Sequence, residues 1–233
     1  MLQIRRFIKY LFFIFTNLTF VERLYQNILW RRVLKQKKPK IVDSVVGNWN
    51  NDRIRYKIWK KIPEILDVNK DIIYLEFGVF KGESIKFFSE MFSNTSSKFY
   101  GFDTFQGLPE KWNRFEKGDF STEGKEPLLN DDRIKFVKGL FQDTLSNFFH
   151  DFSSEYKKKI FLVHFDSDLY SSTLFALFKI YGYKKDFYFI FDQFGSDECR
   201  AFYHFTQATN TNYELLFATH WNYGPQVVFG KLI

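Results

Sequence analysis

The sequence predicts an α/β fold: a mostly parallel sheet with helices on both faces, preceded by an added N-terminal helical segment. Three observations lead there. Five short apolar runs, IIYLEFG, KFYGFD, RIKFVKG, IFLVHFD and FYFIFD, follow one another between Ile72 and Asp192. Each has the length and near-continuous hydrophobicity of a strand buried on both sides. Helical patterns near 82–93, 143–149, 170–182 and 197–209 alternate with them, and alternation of this kind goes with parallel pairing. Four of the five runs end at or beside a carboxylate (Glu76, Asp103, Asp166, Asp192), while the other ends on Lys138-Gly139. Open α/β sheets bind ligands outside the carboxyl ends of their strands, which is where these acids fall.

Taken from the N-terminus, MLQIRRFIKYLFFIFTNLTF begins basic and turns apolar, but Lys9 and then Thr16-Asn17 interrupt it. The apolar stretch is far short of the roughly 20 residues a membrane span needs. Val21-Glu22-Arg23 follow without a small-residue cleavage site. The segment reads as a helix packed on the body of the protein or against a second subunit, with peripheral membrane contact as the other reading. Residues 34–50, LKQKKPKIVDSVVGNWN, read as a linker from their charge run, Pro39 and Gly47. Asp52 has the character of an N-cap for a helix to about Leu66, distorted at its end by Pro63. After the five runs, two further strands are expected near 213–218 and 225–231. The chain thus divides into an extension and linker over 1–69 and a main domain over 70–233.

Composition narrows the partners. At 233 residues and 28.2 kDa the chain is long enough for one full domain with an added segment. Its 32 Phe and 13 Tyr read as a core that uses phenylalanine where other proteins use leucine. The formal charge of +7 favours acidic partners, yet much of it lies in solvated runs at 35–40 and 157–159. A nucleic-acid interface would need a basic stripe interleaved with exposed aromatics. The Lys and Arg residues instead spread over linkers and helix surfaces, so no nucleic-acid partner is expected. Cys199 is the only cysteine, which excludes an internal disulfide and a thiolate metal cluster and fits a cytoplasmic protein.

The first apolar run carries the most chemistry. Glu76 leaves it, Gly78 and Gly82 follow four apart, and Ser84 opens a helical pattern. Two glycines let the backbone turn tightly and approach a ligand where a Cβ would collide. The helix that follows offers free N–H groups to an anionic or carboxylate-bearing ligand. Asp103 ends the next strand, where a carboxylate can accept both hydroxyls of a ribose. These features describe a nucleoside-bearing cofactor, with a nicotinamide dinucleotide and S-adenosylmethionine in competition. The G-x-G-x-x-G cradle of a dinucleotide fold is missing, and an acid ahead of the first glycine suits an ammonium group better than a pyrophosphate. The spacing leans to the methyl donor.

Further motifs sharpen that choice. LEFGVFKGESIKFF, YGFDTFQGLPEKW, KGDFS, VKGLFQDTL, HFDSDLYSSTLFAL and FIFDQFGSDECRAF occur in that order over about residues 70–233. Together they resemble the macrocin O-methyltransferase family, enzymes that methylate sugar hydroxyls on natural products. The resemblance implies a Rossmann-like class I methyltransferase fold, with a seven-stranded sheet whose last strand runs antiparallel. It places Glu76, Gly78, Gly82 and Ser84 around the methionine portion of S-adenosylmethionine, Asp103 at the ribose, and the stretch from Gly139 to Asp143 near the adenine. It makes residues 104–124 a cover for the active site. It also implies an Mg²⁺ site built from Asp166, Asp192 and Gln193, with Asp166 as general base as well as ligand. Asp168 would support the turn and cap the helix beginning near Tyr170.

The chain departs from the family at one of these positions. Where the family usually has Asp-Asp-Tyr, this sequence has Asp192-Gln193-Phe194. An amide keeps an oxygen ligand but loses a charge, so the cation is expected to bind more weakly, or the site to work without one. His164 shares a strand face with Asp166 and reads equally as a site or a core residue. His220 falls where it could meet the acceptor, while His150 and His204 read as structural. No pair has metal-ligand spacing, so zinc is not expected. The overall expectation is an S-adenosylmethionine-dependent O-methyltransferase acting on a sugar or glycan-type metabolite, and a homo-oligomer. The alternatives are an inactive cofactor-binding or membrane-surface protein, or methylation of a non-sugar acceptor.

Overall fold

The structure, a computed structural model, describes residues 18–45, 53–221 and 227–233. Its strands are β1 (Lys40–Val45), β2 (Ile72–Phe77), β3 (Lys98–Asp103), β4 (Ile134–Lys138), β5 (Ile160–Phe165), β6 (Tyr188–Phe191), β7 (Tyr213–Trp221) and β8 (Val228–Leu232). Side by side they form one eight-stranded sheet in the order β1-β7-β8-β6-β5-β2-β3-β4. β8 runs antiparallel to β6 and β7, and the remaining pairs are parallel. The α-helices among the described residues are α1 (Leu18–Lys37), α2 (Arg53–Trp59), α3 (Glu83–Met91), α4 (Phe141–Asp151), α5 (Tyr170–Tyr183) and α6 (Asp197–Thr209).

The period of two along each strand divides the core into two layers. Ile73, Leu75 and Phe77 of β2 pack with α1, α4, α5 and α6 through residues such as Trp30, Leu145, Leu177 and Phe202. Ile72 and Tyr74 point the other way, toward Trp59 of α2 and Phe88 of α3. The aromatic excess is spent here. Phe102, Phe77, Phe165 and Phe191 stand in one row across β3, β2, β5 and β6, with neighbouring ring centroids 4.9, 5.6 and 4.7 Å apart and near-parallel planes. Such offset stacking adds to the burial of each ring. The same alternation sends Tyr74 and Glu76, His164, and Ile190 and Asp192 toward the α2 side, because Glu76 pairs with His164 and His164 with Ile190 in the sheet register.

The five apolar runs form strands, and the four helical patterns form α3 to α6. The last two expected strands form β7 and β8, with β8 antiparallel. The expected seven strands are exceeded by one: Lys40–Val45, in the stretch read as a linker, pairs in parallel with β7 as an edge strand. Pro39 precedes it, at a position an edge strand tolerates because no ladder hydrogen bond is lost. The helix expected to about Leu66 is shorter, ending at Trp59, with a separate 3₁₀ turn over Ile62–Glu64 that has proline in its first turn. Pro63 thus breaks the helix as its missing N–H requires. The Asp52 cap and residues 1–17, with the membrane-surface reading attached to them, lie outside the described residues. From Leu18 on, the N-terminal segment is a helix packed on the body. Gln26 donates to Asp197 at 2.9 Å, Tyr25 meets His204 at 2.9 Å, and Leu29, Trp30 and Val33 are buried. Among the described residues no helix is long and apolar enough to cross a membrane.

Candidate active site

A cavity of about 940 Å³ opens across the carboxyl ends of the central strands. From the β4 side it is lined by Leu140, Phe141 and Gln142, then by Asp103 and Gly78, then by Asp166 and Asp168 after β5, and by Gln193 and Ser196 after β6. Arg55 of α2 and Arg23, Gln26 and Asn27 of α1 close the far side. The connection from β3 to β4 supplies Leu108, Trp112 and Phe115 to its lining. It is an ordered structure: Trp112 and Phe115 exchange backbone hydrogen bonds of 2.9 and 2.8 Å, their rings stack, and Leu108, Trp112 and Leu169 form a small core.

The loop between β2 and α3 is fixed from both sides. Gly78 has φ +92°, and a Cβ there would lie 2.0 Å from the carbonyl oxygen of Asp166. The glycine is therefore required by the neighbouring strand end as well as by an approaching ligand. Asp103 ties the loop down: its Oδ2 accepts from the N–H groups of Val79 and Phe80 at 2.8 and 2.9 Å, and its Oδ1 accepts from Phe105 at 2.7 Å. Gly78→Ala is expected to destabilise the fold by about 1–3 kcal/mol and to weaken cofactor binding, because it combines an unfavourable φ with a backbone collision. Chemical denaturation and calorimetry read the two effects separately.

Only some of the remaining sequence-predicted residues face the cavity. Asp103, Gly78, Asp166 and Gln193 line it. Gly82, at φ +76°, starts α3 and packs against Pro127. Gly139, at φ +143°, sits against Thr144, and Asp143 is exposed in the first turn of α4. From the stretch expected at the adenine, it is Leu140, Phe141 and Gln142 that reach the cavity. Asp168 does not cap α5. That helix has Leu169 at its cap position and no side-chain cap bond, while Asp168 adopts φ +60° and faces the cavity. His204 is structural, held between the hydroxyls of Tyr25 and Tyr170. The side chain of His220 lies outside the described residues.

Beneath the cavity runs a buried polar chain. Ser84 Oγ donates to Glu76 Oε1 at 2.8 Å, and Tyr74 Oη donates to Glu76 Oε2 at 2.5 Å. Tyr74 Oη meets His164 Nδ1 at 2.8 Å, and His164 Nε2 lies 3.2 Å from Asp192 Oδ1. Arg55 Nη1 completes the chain, 3.3 Å from Asp192 Oδ2 and 3.5 Å from Asp166 Oδ2. Glu76, Tyr74 and His164 are fully buried and Asp192 is 1% exposed, so every charge here needs a partner. Burial alone would push His164 down, but Asp192 and Glu76 outweigh it and hold the imidazole at about 10. Burial would likewise push Asp192 up, and His164 and Arg55 bring it below its ordinary value. Asp166 is raised to about 6 by burial and then by the charge of Asp192, against the opposing pull of Arg55.

The residues at the β2–β4 end fit a nucleoside-bearing methyl donor: a close-approach glycine, a strand-end carboxylate, and an apolar pair, Leu140 and Phe141, beside the amide of Gln142. Asp166, Asp192 and Gln193 do not fit a divalent metal in the same way. The Arg55 guanidinium already lies against both carboxylates, and Asp192 also pairs with His164. Gln193 lines the cavity with a neutral amide and so brings no charge to the set. Among the described residues no group of three or more His, Cys, Asp and Glu is arranged to hold a metal ion. Arg55 and Tyr74 are among the residues around the cavity that sequence reasoning missed, as are Arg23, Gln26, Asn27, Trp112 and Ser196 of its wall.

A single twisted sheet of this strand order, with one antiparallel strand between β6 and β7 and a crevice over its central strand ends, is the Rossmann-like class I methyltransferase fold. The family model for macrocin-O-methyltransferase (TylF) matches residues 26–218. The chain belongs to that family, and it is an S-adenosylmethionine-dependent O-methyltransferase. Among solved structures it is similar to the O-methyltransferase NovP, with 21% identity over 76% of this chain and 77% of that one, at a TM-score of 0.49. It is also similar to the O-methyltransferase TomG from Streptomyces achromogenes, solved with S-adenosylmethionine, with 11% identity over 91% and 89% of the two chains and a TM-score of 0.49. No curated protein matches the chain significantly.

Proposed function

We propose that the enzyme methylates a hydroxyl of a sugar or glycan-type acceptor, with Asp166 as general base. One observation carries this reading: Asp166 faces the cavity between its two halves. The β2–β4 half holds Gly78, Asp103 and Leu140–Gln142, which suit the methyl donor. The half beyond β5 is walled by Arg23, Gln26, Asn27, Gln193 and Ser196, with Trp112 above. Hydrogen-bonding side chains beside the stacked rings of Trp112 and Phe115 suit a polyhydroxylated acceptor.

Bound S-adenosylmethionine supplies an electrophilic methyl group, which the acceptor oxygen displaces from sulfur in line. The chain's own part is to position and to move a proton. The Asp166 carboxylate takes the hydroxyl proton as the new C–O bond forms. With its carboxyl raised to about 6 it is a better base than an ordinary aspartate and is still ionised at neutral pH. The β3–β4 connection contributes Trp112 and Phe115 to the cavity lining. A homo-oligomer and a peripheral membrane contact through residues 1–17 belong to the same reading, and neither alters the chemistry of the cavity.

Calorimetry with S-adenosylmethionine, followed by transfer of a radiolabelled methyl group to a panel of nucleotide-sugars, tests the proposal. Cofactor binding with label recovered on a sugar hydroxyl is the expected result. Label recovered only on a lipid or nucleic-acid acceptor would overturn the acceptor class, and a protein that binds no cofactor would overturn the reading altogether.

A further inference from the structure

We propose that the Arg55 guanidinium is the fixed cation of this active site, holding Asp166 and facing the acceptor oxygen, so that methyl transfer proceeds without a divalent metal. The proposal rests on the reading of the cavity as the place of methyl transfer to a hydroxyl. Its basis is a disagreement between what the family resemblance implies and what the side chains do. The two carboxylates suited to a hard cation are shared by one guanidinium, at 3.5 Å from Asp166 Oδ2 and 3.3 Å from Asp192 Oδ2. A divalent ion in the same space would have to displace Arg55 or sit against its positive charge. Gln193, the third position, offers a neutral amide.

Arg55 is also built into the fold rather than draped over it. Ile54, Ile58 and Trp59 on the same short helix are buried, so the backbone that carries Arg55 is anchored to the sheet. The guanidinium lies 5.7 Å from the centre of the Trp59 ring. It remains a quarter exposed, at 25%, on the cavity wall, whereas Asp192 beneath it is 1% exposed. This division assigns the two acids different tasks: Asp192, with His164 on its other side, anchors the cation, and Asp166 uses it.

The chemistry follows from the balance of charge. As the acceptor proton passes to the Asp166 carboxylate, negative charge builds on the acceptor oxygen. That charge is consumed as the C–O bond forms and the methyl–sulfur bond breaks to leave a neutral thioether. A neighbouring cation with several fixed N–H donors stabilises that oxygen without reorganising, which is the office a metal would otherwise hold. Arginine suits it because the guanidinium stays charged at any working pH and presents its donors in a rigid plane.

The test is a titration of the full chain, loaded with S-adenosylhomocysteine, with MnCl₂, followed by calorimetry and by the electron paramagnetic resonance of bound Mn²⁺. The wild type is expected to take up no stoichiometric Mn²⁺ that depends on Asp192. Arg55→Ala removes the cation that both carboxylates share and leaves Asp192 paired with His164 alone, and its Mn²⁺ affinity is expected to rise about tenfold or more above the wild type. Arg55→Lys keeps a cation in place, guards against an alanine variant that fails to fold, and is expected to bind Mn²⁺ no better than the wild type. Stoichiometric Mn²⁺ binding by the wild type that is lost in Asp192→Ala would overturn the proposal. So would methyl transfer to a nucleotide-sugar that EDTA abolishes and Mg²⁺ restores. Failure to bind S-adenosylhomocysteine in the same calorimeter would count against the proposed function instead, while the Mn²⁺ result on the unloaded chain still decides the role of Arg55.

Discussion

Asp166→Asn is expected to lower kcat by about 10²- to 10⁴-fold, the usual contribution of a positioned general base, with little change in S-adenosylmethionine affinity. Asparagine keeps the shape of the side chain and removes the proton acceptor. The turn beneath it is held by the backbone, where the Asp166 N–H donates to the Phe77 carbonyl at 2.9 Å, so the cofactor half of the cavity is undisturbed. The same residue sets the pH dependence. Its carboxyl is raised to about 6 by burial and by Asp192, and the working base is the ionised form. The kcat/KM of the wild type should therefore be full above neutrality and fall as pH drops through about 6. A profile that stays flat through that range, or an asparagine variant with wild-type turnover, would remove Asp166 from the proton transfer.

The strands that carry these acids were readable because a buried parallel strand needs an unbroken apolar run, and four such runs end in them. The fifth run, expected to be buried on both sides, forms the edge strand β4 with no fully buried residue. β1 was not readable. KIVDSV is short, follows a run of lysines, and has one edge paired, so little in its own composition demands a strand. Its partner, β7, lies more than 170 residues further along the chain, and pairing at that distance leaves no local trace. Pro63 was legible for the opposite reason, since its effect on the helix is confined to its own turn.

In the site, the acids were legible and their company was not. Topology puts the ends of neighbouring strands together, so Glu76, Asp103, Asp166 and Asp192 could be placed near one crevice from order alone. By register all four point to one face of the sheet, so which of them reach the cavity depends on depth along the strand and not on alternation. Glu76 turns toward Ser84 and Tyr74 under the floor, while Asp103 and Asp166 reach the cavity. Arg55 gave no signal because its role exists only once α2 has folded across the β5 and β6 ends. A basic residue beside Ile54 and before Ile58 and Trp59 looks like any helix surface charge until that packing is formed. The reason for Gly78 was half legible: the tight turn is local, but the carbonyl of Asp166 that excludes a Cβ comes from another strand.

His164→Leu is expected to destabilise the fold by about 3–5 kcal/mol, the range for breaking a buried ion pair by removing one partner. The leucine would fill most of the space yet leave Glu76 and Asp192, fully buried and 1% exposed respectively, without the cation between them. The proton bookkeeping gives this prediction a second, independent form. In the folded protein the imidazole is raised to about 10, since Asp192 and Glu76 outweigh the effect of burial, whereas in the unfolded chain it returns to about 6.5. A folded value above the unfolded one means that the stabilisation is fully present below about pH 6.5 and is lost as pH rises through about 10. Urea denaturation of the wild type across that window should give an unfolding free energy that declines with pH, and the leucine variant should lack the decline. Were the wild-type stability level from neutrality to pH 10, the imidazole would have to be neutral. The buried chain would then bind no extra proton between those pH values, and Glu76 and Asp192 would face a neutral imidazole, with Arg55 as the cation beside Asp192.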